Sequence, residues 1–350
     1  MKIGILLPNW IGDVVMATPT LRAIRKHFGA DAEIAGIMRP YVSQVLAGTT
    51  FLDRTVLFDR KSADAAVRTP AVIRQLRDWR FDTMVLLPNS FRAATLAWRA
   101  GARQRVGYAR NGRGWLLTTR LLPPREGRRP QPISAIDYYL HLAYAIGCPP
   151  ESPQMELATQ ADDERGADQV WSNLDLHEVS RVVVFNTGSA VGSARSWPSE
   201  HYVELARRLA GDPGTAVLII CGPGERETAA HIERLAHHPR VRSMASQDLS
   251  LGVAKACIRR SSLMVTTDSG PRHFAHAFNV PAVTLHGPID PRWSESHHPR
   301  AVGVQHPVDC GPCGKTVCPL GHHRCMRELA VEVVFDAVQK QLAATAGKAA

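Results

Sequence analysis

The sequence predicts an α/β protein built from two Rossmann-like domains facing a cleft. Three observations predict it. Short aliphatic and β-branched runs alternate with amphipathic stretches over residues 3–99 and again over residues 181–285, which is the pattern of βαβ units and a parallel sheet. An Arg/Gly/Pro-rich interval at 107–132 and a Pro-rich break at 148–154 separate the two series. The length of 350 residues suits two domains of about 150 each rather than one.

In the first series, strands are expected at 3–7, 33–37, 55–58 and 83–87, with helices at 14–28, 41–46, 65–79 and 91–99. Helices at 133–146 and 162–174 follow the irregular interval. In the second series the strands are 181–185, 216–221, 263–266 and 282–285, and the helices are 201–210, 225–235, 249–259 and 272–278. The expected domains are 1–170 and 171–327, and a C-terminal segment 328–350 is expected to cross back as a helix onto the first domain.

Hydrophobic residues at 45% and charged residues at 21% are ordinary for a soluble globular chain. No stretch approaches the roughly 18 uninterrupted apolar residues of a membrane span. The N-terminus does not read as a signal peptide, because Lys2 is a single charge and Asn9, Trp10 and Asp13 interrupt the apolar run. A cytoplasmic location is expected. The net charge of +10 favours anionic partners. Nine arginines lie between Arg99 and Arg129 against one acid, Glu126; this is either a solvated basic face or a binding surface. Nucleic acid is not expected, since the interval has few aromatics and no helix-turn-helix or zinc-finger pattern.

Five segments could carry chemistry. Asn9–Asp13 follows the first strand, where α/β sheets bind ligands. Asp13 is there either a general base or a helix cap. The small-residue loop 186–198 contains Thr187, Gly188, Ser189 and Arg195, so backbone N–H groups, hydroxyls and a cation can meet phosphate. Glu225, after Cys221-Gly-Pro-Gly, either holds ribose hydroxyls or sits at a helix N-terminus. Thr267-Asp268-Ser269-Gly270-Pro-Arg272-His273 joins a strand to a helix start and suits a diphosphate. Cys310, Cys313, Cys318 and Cys325, with His322 and His323, have spacing compatible with zinc or an iron–sulfur cluster.

Taken in order, these segments resemble the ADP-heptose:lipopolysaccharide heptosyltransferases of glycosyltransferase family nine, which have the GT-B fold. Trp10-Ile-Gly-Asp13, Asp268-Ser-Gly-x-x-His273 and His286-Gly-Pro-Ile-Asp-Pro291 carry the resemblance. Leu87-Pro-Asn-Ser-Phe-Arg92 and Cys318-Pro-Leu-Gly-His-His-Arg-Cys-Met326 are similar to the heptosyltransferase II branch. The resemblance implies an inverting transfer from ADP-heptose to the lipopolysaccharide inner core, with Asp13 as base. It implies a donor site at Thr187, Gly188, Ser189, Arg195, Glu225, Asp268, Ser269, Gly270 and His273. Arg195 stands where the family has Lys, and a forked guanidinium meets phosphate differently from an ammonium.

The basic interval and the Leu87–Arg92 stretch suggest an acceptor site at Asn89, Ser90, Arg92, Arg105, Arg110 and Arg113. No cofactor and no metal are expected, and the cysteines are expected to shape a lid near the donor site. Peripheral contact with the inner membrane surface is expected. The alternatives are a related transferase with another donor or acceptor, a GT-B-like nucleotide-sugar epimerase, and a metal-binding interaction module.

Overall fold

The computed structural model describes residues 1–127, 129–188 and 193–346. The chain divides into two compact units. One is Met1–Ala158 with Arg292–Ser296, and the other is Thr159–Pro291 with His297–Ala350.

The first unit is built on a parallel sheet with strand order β3-β2-β1-β4-β5-β6. Its strands are β1 (Lys2–Leu6), β2 (Glu33–Met38), β3 (Arg54–Leu57), β4 (Thr83–Leu86), β5 (Gln104–Tyr108) and β6 (Thr119–Leu121). A small antiparallel pair, β7 (Arg125–Glu126) and β8 (Arg129–Pro130), follows. The helices are α1 (Ile11–Met16), α2 (Thr18–Phe28), α3 (Pro40–Ser43), α4 (Thr69–Trp79), α5 (Phe91–Arg99) and α6 (Ala135–Tyr144). β1 is central, and Ile3 and Ile5 are wholly buried. α4 and α5 close one core through Val72, Leu76, Ala94 and Ala97 against Leu6, Ile37 and Leu86. Each fully buried aliphatic contributes roughly 1.5–3 kcal/mol, so the apolar strands fix the sheet and the loops at its rim are left for chemistry.

The single helix expected at 14–28 is two helices. Pro19 lies at the start of α2, has no N–H to donate and cannot continue a preceding helix. α1 therefore begins three residues earlier than the apolar spacing suggests. β5 and β6 were not expected, because Arg105 and Arg120 break the apolar pattern. They pair with β4 and with each other all the same.

The second unit repeats the design, with parallel order β11-β10-β9-β12-β13-β14. These strands are β9 (Arg181–Asn186), β10 (Thr215–Ile220), β11 (Val241–Ser243), β12 (Leu263–Thr267), β13 (Ala282–His286) and β14 (Ala301–Gln305). The helices are α7 (Ala161–Asn173), α8 (Ser199–Ala210), α9 (Arg226–Ala236), α10 (Leu251–Arg260), α11 (Arg272–Ala277), α12 (Arg324–Arg327) and α13 (Val331–Ala346).

Two expected boundaries are corrected. α7 belongs to the second unit, so the division falls at Ala158/Thr159 rather than at 170/171. The reason is an ionic seam in which Arg259 and Arg260 of α10 reach Glu164 at 2.8 and 2.7 Å, and Arg260 reaches Asp168 at 2.6 Å. α13, expected to cross back onto the first domain, belongs to the second unit. It packs on α8, β12, β13 and β14, burying Val334, Val338 and Leu342, a stripe at helical spacing that covers its own sheet. Among the described residues, no helix is long and apolar enough to cross a membrane.

Candidate active site

Both sheets reverse direction of strand addition at one point, between β1 and β4 and between β9 and β12. Ligands of open α/β sheets bind beyond the carboxyl ends of the strands at such a point. The segments singled out by sequence lie there in each unit.

In the first unit, Asp13 occupies the first turn of α1, directly after the β1 loop. It does not cap the helix: Trp10 is the N-cap residue, and no side chain caps there. The carboxylate is half-buried. Tyr139 of α6 donates its hydroxyl to Asp13 Oδ1 at 3.1 Å. Burial raises the Asp13 pKa above the usual carboxylate value, and the Tyr139 hydrogen bond pulls it partly back. Tyr139 is buried; burial and the adjacent carboxylate hold its phenol protonated, well above the ordinary value. The pair is thus a carboxylate with a fixed donor, poised to take a proton.

A base works only when ionised, so activity should fall as pH drops through the Asp13 pKa. Tyr139→Phe removes a donor that favours the charged form. The expected result is an acid limb of kcat/KM moved to higher pH, with the plateau reduced less than by loss of Asp13. An unmoved limb would show that the hydroxyl does not tune the base.

The expected acceptor residues divide into two groups. Asn89 and Ser90 lie on the loop after β4, Arg92 in the first turn of α5, and Arg110 on the loop after β5. Ser90 caps α5, accepting from Ala93 N at 3.2 Å, and Arg92 is exposed. Asn89 Oδ1 accepts from Tyr138 Oη and Arg113 Nη2, each at 3.2 Å. Arg105 and Arg113, in contrast, are structural. Arg105 sits near the amino end of β5 and donates to Leu116 O at 2.7 Å and Ala102 O at 2.6 Å. Arg113 is wholly buried. It donates to Tyr108 O at 2.9 Å, to Ser90 O at 3.3 Å and also to Pro88 O. Burial lowers its pKa to about 10, which leaves it charged at neutral pH.

A direct acceptor contact from Arg113 is therefore corrected to a buried bracket that shapes the 88–90 loop. Arg113→Met should cost on the order of 3 kcal/mol, because several buried carbonyls lose a charged donor. Chemical denaturation checks this, and a loss under about 1 kcal/mol would contradict it.

In the second unit, Asn186 ends β9 and ties it to β12. Its Nδ2 donates to Thr266 Oγ1 at 3.0 Å and to Ser269 Oγ at 2.8 Å. Thr187 is buried, and Thr267 Oγ1 donates to Gly188 O at 2.8 Å. A Cβ on Gly188 would stand 1.7 Å from Glu225 Oε1, so the Glu225 carboxylate packs directly against this glycine and would have to move for any side chain there. Glu225 in turn accepts from Gly222 N at 2.9 Å. Ser189 lies outside the described residues.

Asp268 is buried between two cations. Arg272 Nη1 lies 3.1 Å from Asp268 Oδ1, and Arg195 Nη1 lies 3.7 Å from Oδ2 while donating to Asp268 O at 2.6 Å. Arg272 Nε donates to His273 Nε2 at 3.3 Å. This places the proton of neutral His273 on Nδ1, which has no partner among the described residues. Burial and the neighbouring Arg272 hold the His273 pKa well below its usual value, and burial takes His286 down to about 4. Gly270 accepts from His273 N at 3.1 Å. α11 has only six residues, so the positive field here comes from guanidinium groups more than from a helix dipole.

Sequence reasoning missed Tyr139; Asn186 and His286 lay in segments it singled out but received no role, and Arg272 lay in the helix start expected to meet a diphosphate.

The cysteine segment lies against these loops. Ala194 N donates to Thr316 O at 3.2 Å, Gly314 N to Pro288 O at 2.7 Å, and buried Met326 fills the space a Cβ on Gly287 would take. Cys310 Sγ stands 3.9 Å from His322 Nε2. Among the described residues, no group of three or more His, Cys, Asp or Glu side chains is arranged to hold a metal ion. The sequence expectation of no metal is checked by metal analysis of the purified protein, which should give well below one zinc or iron per chain. About one per chain, with chelation lowering Tm, would overturn that expectation.

A family model described as glycosyltransferase family 9 (heptosyltransferase) matches residues 69–324. The chain is 26% identical over 350 residues to lipopolysaccharide heptosyltransferase 2 of Escherichia coli K12, covering 96% of this chain and 97% of that one. The solved ADP-heptose lipopolysaccharide heptosyltransferase II of E. coli superposes with a TM-score of 0.78 at 24% identity, covering 98% of both chains. The E. coli heptosyltransferase WaaC, solved with ADP-2-deoxy-2-fluoro heptose, gives 0.72 at 18% identity, covering 97% of this chain and 99% of that one. The architecture is GT-B.

Proposed function

Because the chain belongs to glycosyltransferase family 9, the heptosyltransferases, we propose that it transfers heptose from ADP-heptose to the lipopolysaccharide inner core, as a heptosyltransferase II does. Asp13 carries this reading. A half-buried carboxylate of raised pKa, held by Tyr139 at the carboxyl edge of β1, suits a base that deprotonates an acceptor hydroxyl. That oxygen attacks the anomeric carbon with inversion, and ADP departs.

Charge builds on the departing diphosphate, and preorganised donors are what stabilise such charge. Arg195 and Arg272 are the nearby cations, and Thr187, Ser269, Gly270 and the free Nδ1–H of His273 are candidate donors. Ser189 is part of the same proposed set. Glu225, packed against Gly188, is the proposed acceptor for ribose hydroxyls. Asn89, Ser90, Arg92 and Arg110 form the proposed acceptor set. The donor site needs neither metal nor cofactor in this scheme. The enzyme works in the cytoplasm, at the inner face of the inner membrane where its lipid-linked acceptor lies. Support comes from the full-length similarity to heptosyltransferase 2 proteins and from the anionic acceptor that the basic loops suit.

The test is incubation with ADP-heptose and a one-heptose inner-core acceptor, read by mass spectrometry. A gain of one heptose is expected. A gain only on the heptose-free acceptor would assign the heptosyltransferase I reaction instead, and donor conversion without acceptor would make the protein an epimerase.

A further inference from the structure

Asn89 is half-buried on the loop after β4, and its side-chain amide can face only one way. Arg113 Nη2 lies 3.2 Å from Asn89 Oδ1. A guanidinium only donates, so the amide atom that faces it is the oxygen. Tyr138 Oη lies 3.2 Å from the same oxygen. Arg110 hydrogen-bonds the Tyr138 hydroxyl as well, and it too only donates. The single hydroxyl proton of Tyr138 is therefore directed to Asn89. Oδ1 accepts twice from the protein, and Nδ2 keeps both protons; no described residue accepts them.

The groups that hold Asn89 are themselves fixed. Tyr138 is buried, and its ring stacks on Tyr108 with centroids 3.7 Å apart and planes 11° apart. Its carbonyl accepts from Tyr108 Oη at 2.9 Å. Burial raises the Tyr138 pKa, so the hydroxyl keeps its proton at neutral pH. The Asn89 carbonyl accepts from Asn111 Nδ2 at 3.1 Å.

The neighbouring groups are donors too. The Ser90 oxygen accepts from Ala93 N, which leaves its hydroxyl proton to give. Arg92 is exposed in the next turn, and residues 87–134 contain a single acid, Glu126. A sugar hydroxyl both donates and accepts, whereas a site whose free groups all donate suits a partner that only accepts.

We propose that Tyr138 is a positioning residue for acceptor recognition. With Arg113 it locks the Asn89 amide so that Nδ2 meets an oxyanion of the acceptor, a carboxylate or a phosphate, and discriminates against a neutral group in its place. This role rests on the proposed transfer to an anionic acceptor.

The test uses three forms of the deacylated one-heptose acceptor: native, with carboxylates reduced to alcohols, and with phosphates removed. Wild type should bind one altered form roughly tenfold or more weakly than the native one, which tells carboxylate from phosphate. Tyr138→Phe keeps the ring on Tyr108 and removes the donor. Its KM for native acceptor should rise about three- to tenfold, with kcat and the KM for ADP-heptose nearly unchanged. Its KM for the form lacking the oxyanion should not move. Asn89→Asp keeps the oxygen that accepts from Arg113 and Tyr138 but sets a second oxygen where Nδ2 stood, so like charges meet. It should lose roughly tenfold or more on the native acceptor and little on the form lacking the oxyanion. Equal weakening of all forms by Tyr138→Phe would make the tyrosine merely structural. Wild type binding all forms alike or none, or Asn89→Asp matching wild type, would overturn the assignment. Calorimetry without donor makes the same comparisons. Form-selective binding with no heptose transferred would defeat the proposed reaction and leave this site standing, whereas transfer at one KM for every form would do the reverse.

Discussion

Asp13→Asn is expected to abolish nearly all turnover while the protein folds and binds ADP as before. Removing a general base costs typically 10²–10⁴-fold, and the amide cannot take the acceptor proton although it fills the same space beside Tyr139. Stability gives an independent check with a definite sign. Burial raises the Asp13 pKa in the folded chain, so the folded state favours the protonated acid. Its stability contribution is present below the unfolded pKa and is lost as pH rises through the folded value. At neutral pH the ionised carboxylate is a cost to folding, and Asn removes it. Tm should hold or rise slightly. A variant that melts several degrees lower with near-normal activity would make Asp13 a structural residue.

Asp268→Asn should have the largest effect in the second unit. Asp268 and Arg272 are both nearly excluded from solvent, and Arg195 bonds to the Asp268 carbonyl and approaches its carboxylate. Neutralising the acid removes the carboxylate that stands between the two guanidinium groups. Breaking a buried pair in this way costs about 3–5 kcal/mol, or roughly 6–20 °C in Tm for a unit of this size. Transfer should be lost as well. Added ADP should restore more Tm to the variant than to the wild type, because its phosphates supply the missing anion. Equal ADP-induced shifts would mean that Arg195 and Arg272 do not face the diphosphate.

The central strands β1, β2, β4, β9, β10, β12 and β13 were legible in the sequence because they are buried and read as short apolar runs, whereas β11 and β14 were not anticipated. β5 and β6 were not legible, because Arg105 and Arg120 interrupt them and only pairing along the sheet, β5 on β4 and β6 on β5, makes them strands. Asp13, Glu225 and Asp268 could be found because a polar residue after a buried strand has few structural reasons to be there. Tyr139 could not: a tyrosine on an apolar helix looks like core, and only its hydroxyl reveals its partner. Arg113 was misread for the opposite reason. A run of arginines looks like a solvated face, yet tertiary packing drew this one inside, onto Tyr108 O and the 88–90 loop.

The first unit is completed by Arg292–Ser296, and Ser134, which caps α6 and so precedes Tyr139 by little more than one turn, donates its hydroxyl to Glu295 O at 2.6 Å. The first unit is thus discontinuous in sequence, and a fragment ending at Ala158 lacks the carbonyl that receives Ser134, so α6 should be held less firmly in it than in the full chain.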